Sequence, residues 1–237
     1  MDEILASLPP DADHRLAEHA FTSAGWTPCG AGDWAIALRS PDGSLAARIS
    51  PFDPTGPYTA ALYRAAAHTR QVPRLHDHRR LAGGGDLQVM EWLAPASEDD
   101  ATEFLRAVAE GAPPVNGLAR IVHEVHARAM DGLPWCGPLD RNPANVMRGA
   151  DGRLVVTDLF YADGPALYAQ AESDPGSFVT RMPREERRFM TEIPLAASGP
   201  WPETEREALR AAIAEADRAR SLPARRDSPG GRAQPLS

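Results

Sequence analysis

The apolar positions of this chain change period several times, and each change predicts an element. Leu118, Ile121, Val122, Val125 and Ala129 recur every three or four residues, the spacing of one face of a long helix. Residues 11–24, 58–70, 164–178, 184–190 and 203–220 read as further helices. Pro183, Pro194, Pro200 and Pro202 separate the last of these, because proline lacks the amide hydrogen a continuing helix needs. Short apolar runs at 34–38, 45–49, 87–93, 146–147 and 154–156 predict strands. Pro41-Asp42-Gly43 is a turn between the first two runs, and Ala150-Asp151-Gly152-Arg153 has the Asp-Gly signature of a hairpin between the last two. Ser97 followed by Glu98, Asp99, Asp100 and Glu103 looks like a helix N-cap with acids in the first turn, where the helix dipole favours them without any ligand. Beyond Ser221 no apolar period remains, so 222–237 are expected to form a disordered tail.

Organisation follows from that order. A leading helix precedes a strand-rich stretch with one helix over 25–93, Pro95 marks a join, and 96–221 is mostly helical with one hairpin. No internal repeat is visible. With 237 residues, 43% hydrophobic and 24% charged, the chain suits one or two packed lobes and is neither membrane-like nor wholly disordered. No apolar run approaches the roughly 20 residues that span a bilayer. Met1-Asp2-Glu3 is acidic and Pro9-Pro10 follows, unlike a signal peptide, so a cytoplasmic location is expected. The two cysteines, Cys29 and Cys136, suit reduced thiols better than a disulfide framework.

The chemistry concentrates in Leu139-Asp140-Arg141-Asn142-Pro143-Ala144-Asn145-Val146-Met147 and the following Leu154-Val155-Val156-Thr157-Asp158. Phosphoryl transfer asks a protein for positioning and for hard cations that neutralise phosphate oxygens, and such cations prefer oxygen ligands. Asn145 and Asp158 supply those oxygens for Mg, and a hairpin would bring them close together. Asp140 is then left to accept or orient the proton of an attacking hydroxyl. The alternative is structural: Asp and Asn beside Pro143 are ordinary turn residues, and an Asp after a strand can cap the next element.

Asp140, Pro143, Asn145 and Val146 reproduce the Asp-x-x-Pro-x-Asn-Val loop of bacterial aminoglycoside phosphotransferases and small-molecule kinases, and Asp158 ends the next strand as an Asp does there. Over roughly residues 20 to 170 the chain resembles that branch of the protein-kinase-like fold. The resemblance implies an α+β, two-lobed architecture. A small antiparallel-sheet N-lobe over 1–95 would carry the leading helix, glycine loop and hinge, and a mostly helical C-lobe over 96–221 the catalytic hairpin. It places Gly30 and Gly32 in the loop covering the nucleotide, where glycine lets amides approach phosphate, although most such glycine pairs are plain turns. Arg48 stands where a Lys would meet the α- and β-phosphates. Met90, Glu91 and Leu93 fall in the hinge, with backbone groups of Glu91 and Leu93 toward the adenine edge. His126 follows the apolar face of the central helix and is read as structural.

The sequence also departs from the family. There is no Lys anywhere, and Arg grips phosphate with a broader, planar fork. Residues 58–70 contain no acid to pair with Arg48, although such a pair belongs to the assembled kinase site. Asp53, between Pro51 and Pro54, is the nearest acid. Pro138 occupies the place of a customary His, and Asp158 is followed by Leu159-Phe160. The lobe beyond Phe160 is short; Asp163 in its first loop is available to a cation.

Two functions follow. One is a phosphotransferase moving the γ-phosphate of ATP or GTP, with Mg, to a hydroxyl of a small molecule. The other is a pseudokinase serving as a nucleotide-binding or protein-interaction module. Residues 96–221 hold 21 acids against 14 Arg, an imbalance that would attract cationic antibiotics or metabolites and repel nucleic acid, although a charge surplus is usually a solvated face.

Overall fold

The computed structural model describes residues 1–193 and 202–221. The expected helix breaks at Pro194 and Pro200, and the tail at 222–237, lie outside the described residues. Helices α1 (Asp2–Ser7) and α2 (His14–Ser23) lead into β1 (Thr27–Ala31), β2 (Ile36–Arg39) and β3 (Leu45–Ser50). Then come α3 (Gly56–Ala66), β4 (Leu75–Arg80) and β5 (Asp86–Glu91). After β6 (Ala94–Pro95) follow α4 (Glu98–Glu110), α5 (Asn116–Gly132) and the hairpin β7 (Val146–Arg148) with β8 (Leu154–Val156). Helices α6 (Gly164–Ser173), α7 (Pro175–Arg181), α8 (Arg184–Arg187) and α9 (Glu203–Ser221) complete the described chain.

The first five strands form one antiparallel sheet in the order β1-β2-β3-β5-β4, and β6-β7-β8 form a second. Side chains alternate across a strand, so the register decides what faces the site. Ala47 and Ile49 of β3, with Leu87 and Val89 of β5, bury their side chains with Leu5, Ala17 and Phe21 of the two leading helices. Their neighbours Ala46 and Arg48, paired across the ladder with Met90 and Gln88, therefore point to the opposite face, toward α3 and the cleft between the lobes. A second core joins Leu62, Tyr63 and Ala66 of α3 to the α5 face, where Leu118, Ile121, Val122, Val125 and Ala129 are all buried. A third gathers α6, α7 and α9 around Phe178 and Leu167. This is an α+β arrangement of two lobes, one built on the five-stranded antiparallel sheet and one mostly helical. Among the described residues no helix is long and apolar enough to cross a membrane.

Four details differ from expectation. Helix α1 was not foreseen; six residues are too few to establish a period, and only Leu5 is buried. Strand β4, Leu-His-Asp-His-Arg-Arg, has no apolar alternation because it is a charged edge strand held by its pairing with β5. The helix expected over 164–178 breaks at Asp174, whose carboxylate caps the Ser177 amide at 3.0 Å ahead of Pro175. The helix expected over 58–70 starts earlier, at Gly56, and its α-helical part ends at Ala66, with Arg70 turned into the left-handed region at φ 59°.

Candidate functional site

The cleft between the lobes encloses about 410 Å³. Gly30 and Gly32 at the end of β1 roof it, and Arg48, Met90, Glu91, Leu93 and Asp158 line its walls. Sheet alternation explains Arg48 and Met90, and the second hairpin supplies Asp158.

That hairpin closes as its Asp-Gly turn demands, with Gly152 at φ 83° and Val146 opposite Val156. Its geometry carries Asn145 to the end of β8, where the side-chain amide donates to the Asp158 carbonyl at 3.2 Å and to Asp140 Oδ2 at 2.9 Å. Both partners are acceptors, so the nitrogen must be the atom facing them, which leaves the amide oxygen as the other polar atom of the Asn145 side chain. Asp140 Oδ1 accepts from the Asn142 amide at 2.9 Å. Asp140, Asn145 and Asp158 thus form one continuous bonded set. Asp140 lines a second cavity of about 400 Å³ beneath the loop, while Asp158 lines the interlobe cleft.

Asp158 sits at φ 44°, a left-handed conformation uncommon for a non-glycine residue and more readily adopted by Asp than by most. Its amide donates to the Tyr63 hydroxyl at 3.2 Å, and its carboxylate lies 3.2 Å from Arg48 Nη2. Burial pushes the Asp158 carboxyl above the ordinary Asp value; Arg48 opposes that push, and Asp53 and Asp140 add to it. The side chain keeps 40% of its surface exposed, so cleft water moderates the effect. Arg48, only 14% exposed, also pairs with Asp53 at 2.8 Å. Burial alone would lower the Arg48 pKa, but Asp158, Asp53 and Asp86 outweigh it and hold the guanidinium firmly charged. Burial, reinforced by the Asp158 charge, raises the Tyr63 hydroxyl.

Compared with known proteins, the chain matches no protein-family model and no curated protein. Among solved structures it is similar to aminoglycoside phosphotransferase APH(3'')-Id from Streptomyces rimosus ATCC10970, at 18% identity over 81% of this chain and 93% of that one, with a TM-score of 0.29. The same protein in complex with ADP and streptomycin gives 18% identity over 81% and 92%, with a TM-score of 0.28.

The remaining contacts show how the loop and hinge are held. His126 donates from Nε2 to the Gly137 carbonyl at 2.8 Å and stacks on Phe160 at 5.6 Å, while the Asp140 amide bonds the Leu159 carbonyl at 3.0 Å. These bonds brace the loop on either side of Pro138. At the end of β5 the Glu91 amide donates to the Arg74 carbonyl at 3.1 Å, so that amide is not available to a ligand edge. The Glu91 side chain pairs with Arg153 of the hairpin turn, tying the end of β5 to the β7–β8 turn. Asp163, expected to be open to a cation, instead caps α6 through the Ala166 amide at 3.0 Å.

Tyr63 escaped the sequence reading, since a lone Tyr within helix-forming residues gives no functional signal. Among the described residues no group of three or more His, Cys, Asp or Glu side chains could hold a metal ion by itself. Asn145 and Asp158 nonetheless offer a hard oxygen pair of the kind Mg²⁺ uses when nucleotide phosphates and water complete its shell.

Proposed function

We propose that the protein is a phosphotransferase that moves the γ-phosphate of ATP or GTP to a hydroxyl of a small molecule. The observation that supports this most is the bonded set Asp140–Asn145–Asp158, with Arg48 beside Asp158 in the cleft. In this reading Gly30 and Gly32 cover the nucleotide, Met90, Glu91 and Leu93 contact its base, and Arg48 meets its phosphates. Asn145 and Asp158 hold Mg, which when bound neutralises phosphate oxygens. Asp140, fixed by the Asn142 amide and Asn145, orients the acceptor hydroxyl and takes its proton.

One observation favours a second reading, a pseudokinase that binds without turnover. Arg48 is already satisfied by two carboxylates, so a nucleotide must draw it away from Asp158 before it can reach phosphate. Melting with and without Mg-ATP, followed by single-turnover assays of the purified protein, separates the two. The phosphotransferase reading expects a rise in Tm, because a ligand that binds only the folded state stabilises it. It also expects Asp140→Asn to keep that rise and lose nucleotide turnover by about 10²-fold or more. No rise at millimolar Mg-ATP overturns both readings, a rise without turnover in wild type leaves the pseudokinase, and turnover indifferent to Asp140→Asn overturns the role given to Asp140.

A further inference from the structure

We infer that the cavity on the far side of Asp140 is the acceptor site, and that it takes a neutral, largely apolar alcohol rather than a polycation. The inference rests on the phosphotransferase reading and deepens it. Asp140 lines this cavity, Asp158 lines the nucleotide cleft, and Asn145 bonds both, so the proposed base faces one chamber and the proposed metal ligand faces the other.

At about 400 Å³ the second cavity has the size of a small-molecule site. Its walls are Leu105 and Val108 of α4, Met130 of α5, and Leu139 and Leu159 flanking the loop. Met130, 54% exposed, stands at its rim. Among the described residues Asp140 is the only acid in the lining. Arg141 beside it repels a cation. His123 donates from Nδ1 to the Ala119 carbonyl at 2.8 Å, so when neutral its other ring nitrogen is an acceptor suited to a hydroxyl.

The acidic surplus of the C-lobe lies elsewhere and is partly neutralised. Asp100 pairs with Arg148 at 2.6 Å, Glu110 with Arg106 at 3.1 Å and Asp217 with Arg187 at 2.5 Å. A polyamine entering this cavity would exchange water for hydrocarbon and an arginine, whereas an aryl or alkyl alcohol would bury its apolar body and present one oxygen to Asp140. In the reaction that oxygen forms a new bond to the γ-phosphorus as the bond to the β,γ-bridging oxygen breaks. The hydroxyl proton passes to the Asp140 carboxylate and then to water, and ADP departs.

The test uses the full chain with 4-phenyl-1-butanol as the neutral probe and streptomycin as the cationic one, each followed by ligand-observed NMR. Ala109→Trp fills the cavity from an exposed helix position, and Met130→Glu places a charge at its exposed rim. The expected result is that wild type binds 4-phenyl-1-butanol, that both variants weaken it by about tenfold or more, and that all three proteins keep the same Mg-ATP melting shift. Mg-ATP should then yield a phosphomonoester of the alcohol by ³¹P NMR. The proposal is overturned if the alcohol does not bind, if neither variant weakens it, or if streptomycin is the probe that Ala109→Trp displaces. If the alcohol behaves as expected while wild type shows no Mg-ATP shift, the phosphotransferase reading has failed and the acceptor role with it, whereas the cavity's preference for neutral alcohols stands.

Discussion

Asp53→Asn isolates the anchor of the cleft's charge network. The side chain is 4% exposed, with Oδ2 at 2.8 Å from Arg48 Nη1. Its other oxygen accepts from the amides of Thr55 and Gly56 and from the Thr55 hydroxyl, at 2.8 to 2.9 Å. With those donors on one side, the oxygen of the replacement amide must stay there, and its NH2 then meets the guanidinium, donor against donor. Removing one partner of a buried ion pair costs about 3–5 kcal/mol. Arg48 keeps Asp158 at 3.2 Å, and although that carboxylate is 40% exposed and its field partly screened, it still compensates part of the guanidinium charge, so the lower end, about 3 kcal/mol, is expected. In a domain of this size each kcal/mol moves Tm by about 2–4 °C, which predicts a fall of about 6–12 °C in calorimetry. Urea titration should show the midpoint moving with m unchanged, because the surface exposed on unfolding stays the same. A Tm within about 2 °C of wild type would refute the reasoning, since it would mean that Asp53 does not hold the guanidinium.

Two further outcomes follow from the same geometry. Gly84 has φ 89°, and an added Cβ would fall on the Glu186 carbonyl of the C-lobe, so Gly84→Ala combines backbone strain with a clash that backbone atoms cannot relieve. It should lower stability by about 2–4 kcal/mol in urea denaturation, and a neutral effect would mean that the β4–β5 turn does not seat on α8 as described. Asp158→Asn tests the raised carboxyl. A group that holds its proton more tightly in the folded state than its unfolded value of about 3.9 favours folding progressively as pH falls through that interval. Wild type should therefore gain stability relative to Asp158→Asn on acidification just above pH 4, and a difference that shrinks instead would show Arg48 to be the stronger influence.

The parts legible in the sequence were those where one local rule dominates. The α5 face, the Asp-Gly hairpin and the Ser97 cap each follow from a period or a turn chemistry within a few residues, and each fixes its neighbours without help from the rest of the chain. The alternation of Ala46, Arg48, Gln88 and Met90 was equally local once the register of β3 on β5 is known, but register is a property of two strands and cannot be read from one. Strand β4 and Tyr63 were illegible for a related reason. Their roles are set by what lies across from them: Asp86 for His78 at 2.8 Å, and the Asp158 amide for Tyr63 at 3.2 Å. The sequence marks Asp53 only as the nearest acid, because nothing in a proline-broken loop says which way a carboxylate will turn.

The source of Arg48's partner has a consequence for how the site assembles. In protein kinases the cation on the sheet pairs with an acid on the neighbouring helix, so the pair reports the position of that helix. Here the acid comes from the loop before α3, five residues along the chain from Arg48, and is locked by the Thr55 and Gly56 amides at the start of the helix. Helix α3 contributes the Tyr63 hydroxyl instead, and that group accepts from the Asp158 amide. The helix is also pinned at its start, since Gly56 abuts the buried Asp86 carboxylate, and along its length by Leu62, Tyr63 and Ala66 in the core shared with α5. A helix so fixed, with no charge on the pair, has little to gain by swinging. The movable contact is the Arg48–Asp158 bridge, whose carboxylate faces the cleft and is the more exposed partner. In the phosphotransferase reading, control over this cleft would therefore fall to whatever competes for Asp158, and not to the position of α3.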